Sequence, residues 1–135
     1  MIKKYELLEH PSDLKIKAFG ETKEELFSNA LFGMEECLKP ETREGTIERE
    51  VKISSVDLSG LMVDFLSEAL YLTQVNKEAY FEARFSKLTD KELEGRIIGK
   101  KAERFGEDIK AVTYYDLDVK QKDDGSWEAV VLFDI

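Results

Sequence analysis

The apolar positions of this chain change period several times, and each change marks an element. Residues 5–9 read as a short strand that Pro11 stops, and His10-Pro11-Ser12-Asp13 has the composition of a turn. Leu14, Ile16 and Ala18 then alternate with Lys15 and Lys17, the period-two pattern of a half-buried strand ending at Gly20. Thr22-Lys23-Glu24-Glu25 is a capping box, in which the Thr22 hydroxyl can accept from the Glu25 N–H. From there to about residue 38, Leu26, Phe27, Ala30, Leu31, Met34, Cys37 and Leu38 recur at helical spacing and make one apolar face. Pro40 marks the end of that helix.

Residues 47–56 predict a strand, and Asp57 or Ser59 can cap a second helix over about 60–75. Its wide apolar face, from Leu61 to Leu72, suits packing against a sheet. Four strands close the chain, with runs at 81–85, 93–100, 111–120 and 127–133. Thr89-Asp90-Lys91 and Asp123-Asp124-Gly125 are turns, and 104–108, which carries Gly106, reads as a loop. The last run is nearly continuous in apolar residues, as expected of a strand covered on both faces. The order is ββαβα followed by four strands. It predicts an α+β domain, two helices on a mixed or antiparallel sheet with room for a second sheet layer.

A length of 135 residues fits a single domain over 1–135. Hydrophobic residues make up 42% and charged residues 36%, a globular composition with a dense surface charge. No apolar run is long enough to span a bilayer. The start lacks the apolar core of a secretion signal, and one cysteine excludes an internal disulfide, so a reducing cytoplasm is expected. The formal net charge of −9 and the lack of a basic cluster argue against strong direct nucleic-acid binding. They favour a basic protein partner or a cation.

No dinucleotide fingerprint, phosphate loop, zinc-protease motif or CxxC occurs. Cys37 lies on the apolar face of the first helix and reads as ordinary core. His10, the one histidine, reads as a hydrogen-bonded turn residue, and no nucleophile elbow accompanies it. Carboxylates remain. Asp13 leads out of a tight turn into a strand, and Asp134 ends a buried strand just before the Ile135 main-chain carboxylate. That main-chain group can swing toward either face, so Asp134 and the terminus can converge on a hard cation that prefers several oxygen ligands. The alternative is a frayed end in solvent. Lys110-Ala111-Val112-Thr113-Tyr114-Tyr115 is either a plain strand or a polar strand end beside that acidic site.

Four segments together resemble the archease family along essentially the whole chain. They are Tyr5-Glu6-Leu7-Leu8-Glu9-His10-Pro11-Ser12-Asp13, then Ala18-Phe19-Gly20-Glu21-Thr22-Lys23-Glu24-Glu25-Leu26-Phe27, then Lys110-Ala111-Val112-Thr113-Tyr114, and the ending Val131-Leu132-Phe133-Asp134-Ile135. The resemblance implies a small cytoplasmic, chaperone-like accessory protein rather than an enzyme. Its partner would be the RtcB-type tRNA-splicing RNA ligase, whose guanylylation and multiple turnover it would promote and whose nucleotide choice it could broaden. A tRNA methyltransferase is the alternative partner, with the metal then structural. The family's metal site carries over onto Asp13, Asp134 and Ile135, for one divalent cation, Ca²⁺ or Mg²⁺. His10, Lys110, Tyr114 and Tyr115 are the side chains from which a ligase contact would be drawn. Two departures from the family pattern stand out: Pro11-Ser12 stands where Thr-Ala is usual, and Tyr115 where a histidine often follows.

Overall fold

The computed structural model describes residues 3–8 and 13–135, and at Asp116 the backbone alone. Its elements are β1 (Tyr5–Leu8), β2 (Leu14–Gly20), α1 (Lys23–Cys37), β3 (Pro40–Thr42), β4 (Ile47–Ser54), α2 (Leu58–Asn76), β5 (Glu78–Leu88), β6 (Glu92–Phe105), β7 (Ala111–Gln121) and β8 (Trp127–Asp134). The predicted α+β class holds, as two antiparallel sheets. One has the order β1-β2-β8-β7. In the other, β6 pairs with β4 and β5 along its length and with β3 at its far end.

Both helices start where capping chemistry places them. The Glu25 N–H donates to Thr22 Oγ1 at 3.1 Å, while Glu25 Oε1 accepts from the Glu21 N–H. For α2 the cap is Asp57, whose Oδ1 accepts from the Gly60 N–H at 2.7 Å. The left-handed Lys77 ends α2. Two boundaries differ from expectation. The strand predicted at 93–100 continues to Phe105, and the stretch after α1 forms β3, because each supplies the other's pairing partner. Neither has an apolar pattern of its own, so no periodicity announces them.

Each helix packs on both sheets, α1 against β2 and β5, and α2 against β7, β4 and β5. The core therefore lies around the helices. Phe27 of α1, Phe65 of α2 and Phe85 of β5 meet with ring centroids 5.6 to 6.2 Å apart. The apolar run of β8 makes it an inner strand, with Ala129, Val131 and Phe133 buried toward the helices and Leu132 and Glu128 nearly buried on the opposite face. Glu128 is closed over by Lys17, Lys120 and Lys122, each within 4.0 Å.

Two carboxylates sit inside this packing. Glu35 of α1 is fully buried; Thr73 Oγ1 of α2 donates to its Oε1 at 2.7 Å and the Tyr80 N–H of β5 to its Oε2 at 3.1 Å. It thus fastens three elements together. Burial pushes its carboxyl up to about 8, against the weaker pull of those two hydrogen bonds. Glu78 instead has a charge partner. Arg49 grips it with Nε and Nη2 at 2.9 and 2.7 Å, and Tyr80 Oη donates to it. The Arg49 hydrogen bonds hold its carboxyl below the usual range. Cys37 is half-buried against the core, and burial pushes its thiol up to about 11, away from nucleophilic use.

Candidate functional site

The register between β2 and β8 brings the two ends of the chain to one sheet edge. Leu14 pairs with Phe133, so the next step along each strand sets Asp13 beside Asp134. On the other side of β8, Ala111 pairs with Asp134, and the Lys110 N–H donates to the Asp134 carbonyl at 2.7 Å. Segments 13, 110–111 and 134–135 therefore meet at one end of one sheet. In β8 the alternation that buries Ala129, Val131 and Phe133 carries Asp134 to the face away from the helices. By the same period Asp13 falls on that face, next to Lys15 and Leu132. Asp13 is half-buried, Asp134 is exposed and Ile135 is 50% exposed.

Chemically, this edge offers oxygen donors. Two side-chain carboxylates lie on adjacent strand ends, with the main chain of Ile135 following. Among the described residues, no group of three or more His, Cys, Asp or Glu side chains gathers as a metal cluster. His10, Pro11 and Ser12, which precede Asp13 in the motif, lie outside the described residues.

The late motif is where sequence reasoning missed most. After Thr113 pairs with Leu132, the next pair is Asp118 with Val130, so residues 114–117 stand against Val131 alone. A bulge of this kind bends a strand and re-aims its side chains. Here it delivers Tyr114 to α2, where its hydroxyl donates to Asp64 Oδ1 at 2.7 Å. Tyr115 is exposed, with its N–H on Thr113 Oγ1 at 3.3 Å, and Lys110 is exposed as well. The alternation that identifies a strand at 111–120 breaks across Tyr114-Tyr115-Asp116, the one signal that could have exposed the bulge.

Surface cavities also lie away from this edge. One, of about 650 Å³, opens on the charged outer face of β4, β5 and β6. Charges along that face neutralise one another: Arg96 with Glu48, Arg84 with Glu82, and Lys52 with Glu94. No described helix is long and apolar enough to cross a membrane.

A small α+β domain of two antiparallel sheets around two helices, joining an N-terminal aspartate to the carboxylate end of an inner strand, defines a recognisable class. Residues 5–135 match the model of the Archease protein family, and the chain belongs to that family. The protein archease of Methanosarcina mazei is 41% identical, over 98% of this chain and 97% of that one. That of Pyrococcus furiosus is 28% identical, over 99% and 100%. Among solved structures, Methanobacterium thermoautotrophicum protein 1598 superposes with a TM-score of 0.72 at 27% identity, covering 99% of this chain and all of that one. A Thermotoga maritima structure described as an archease, possible chaperone, superposes with a TM-score of 0.71 at 21% identity, covering 95% and 94%. That last likeness concerns the fold alone.

Proposed function

We propose that this chain is a non-catalytic activator of an RtcB-type tRNA-splicing RNA ligase and that it meets the ligase through its acidic sheet end. The supporting observation is the β2–β8 register, which sets Asp13 beside Asp134 at the edge where Lys110 holds the Asp134 carbonyl. Asp13, Asp134 and the Ile135 main-chain carboxylate would hold one divalent cation, Ca²⁺ or Mg²⁺, since all three offer the hard oxygen donors such ions prefer. When bound, that ion would offset the repulsion of the carboxylates and present positive charge to phosphate oxygens. The chain's own residues do the rest. The inner strand β8 fixes the carboxylates on a rigid element, and the Lys110 N–H keeps the strand end from fraying.

An activator of this type supplies no reacting group. It needs only to bind the guanylylation-competent conformer of the ligase more tightly than the incompetent one, and about 1.4 kcal/mol of preference shifts that equilibrium tenfold. The same effect would promote multiple turnover and widen nucleotide use. Single-turnover and multiple-turnover ligation with Asp134→Ala tests the reading. Loss of stimulation is expected, and stimulation equal to wild type removes the acidic end from the mechanism.

A further inference from the structure

The described residues include seven large exposed apolar side chains, and five of them belong to α2 with its lead-in or to β7, which packs against it: Val56, Tyr71, Val75, Tyr114 and Tyr115. Single exposed apolar residues are ordinary, and clustering is what calls for a cause. On α2, Asp64, Glu68, Tyr71 and Val75 follow at intervals of four, three and four, so they form one stripe about 16 Å long. Along this stripe Asp64 and Glu68 are half-buried and Tyr71 and Val75 are exposed. Strand β7 runs beside it and is tied to it by Tyr114 Oη on Asp64, while the segment leading into β7 is tied by Gln74 Nε2 on the Ile109 carbonyl at 3.1 Å. Tyr114 and Tyr115 stand at one end of the stripe, while Tyr71 and Val75 continue toward the other. Val56 precedes the Asp57 cap at the bulge end.

Charge selects the occupant. Helix α2 contains no Lys or Arg in its 19 residues, and Asp57, Asp64 and Glu68 line the apolar groups. A second copy meeting the face symmetrically would set these acids against themselves. Nucleic acid would bring phosphates to the same acids. Tyrosines, by contrast, supply large contact area with little side-chain entropy to lose, as protein interfaces use them. Along β7 the bulge begins after Thr113, three residues on from Ala111, the partner of Asp134, whose side chain projects from the opposite face of the sheet.

We infer that the α2 stripe and the β7 bulge form a second docking surface, separate from the acidic end, whose occupant is a basic, apolar-studded surface of a protein partner. This rests on the activator reading and takes that partner to be the same ligase. The test is fluorescence anisotropy of labelled cognate RNA ligase titrated with the full chain at low and moderate salt. Wild type is compared with Tyr71→Ser/Val75→Ser, Asp64→Asn/Glu68→Gln, and Arg84→Ala on the outer face of the other sheet, all checked by circular dichroism for an intact fold. The first double variant is expected to raise Kd about tenfold or more, the range of a lost interface anchor. Asp64→Asn/Glu68→Gln should weaken binding chiefly at low salt, and Arg84→Ala should leave it unchanged.

If both double variants bind as wild type does, this surface is refuted while the activator reading stands. If wild type itself fails to bind the ligase, both fall. Sedimentation that shows a wild-type dimer dissolved by Tyr71→Ser/Val75→Ser would assign the face to a second copy and overturn the proposal.

Discussion

Replacing Glu35 by glutamine removes one titratable proton from a buried group at almost no change in volume, and the structure dictates how stability should then respond to pH. The wild-type carboxyl is fully buried, with two donors and no cation among the described residues, and burial pushes it up to about 8 from an ordinary 4.5. In the folded chain it is therefore a neutral acid at pH 7. Its own proton can point to Thr73 Oγ1, since a hydroxyl both donates and accepts. The unfolded chain releases that proton from about pH 4.5 upward. Between the two values the folded state binds one proton more, so stability falls as pH rises, by at most about 1.4 kcal/mol per pH unit.

Glutamine mimics the protonated acid: its carbonyl accepts from the Tyr80 N–H and its amide can donate to Thr73. The variant should match wild type near pH 5 and gain on it above, reaching roughly 3 kcal/mol by about pH 7.5. That is a large share of a domain's typical total of about 5–15 kcal/mol. Urea unfolding of both proteins at half-unit pH steps measures the difference directly, and titrations common to both cancel. A difference that stays constant from pH 5 to 8 would refute the reasoning, because Glu35 would then titrate alike in both states.

Two further outcomes follow from geometry. A Cβ at Gly99 would fall on the Ala79 carbonyl oxygen and lie 2.7 Å from Tyr80 Cα, both on the paired backbone of β5. Gly99→Ala should therefore cost about 2 kcal/mol or more by urea unfolding, because backbone cannot rotate aside as a side chain can. Asp57→Ala removes the hydrogen bond to the Gly60 N–H and should cost about 1 kcal/mol by the same assay.

The parts of this fold legible in the sequence are those whose signal is local. Thr22 and Asp57 announce the helix starts, the alternation from Leu14 to Ala18 gives β2, and the unbroken run to Phe133 gives an inner strand. What stayed hidden depends on pairing between distant segments. Strand β3 and the last residues of β6 exist because each completes the other, and the break in alternation at Tyr114-Tyr115-Asp116 becomes a defined bulge at 114–117 only against the register of β8. Glu35 had a local signal. It follows Leu31 by four residues and precedes Leu38 by three, so it interrupts the apolar face of α1. A carboxylate on such a face implies a buried partner, but Thr73 and Tyr80 lie far off in sequence. The acidic end is intermediate. Asp134 drew attention by its place in the chain, whereas its juxtaposition with Asp13 follows from the strand register.

The central claim is that the acidic sheet end activates a ligase. The most direct test is ligation by the cognate RNA ligase, in single and multiple turnover, with no added chain, with wild-type chain, and with a chain extended by several residues past Ile135. Extension moves the terminal carboxylate while leaving every side chain intact. Stimulation by wild type, lost or strongly reduced by the extension, is the predicted result. Equal stimulation by both chains, or none by wild type, would contradict it.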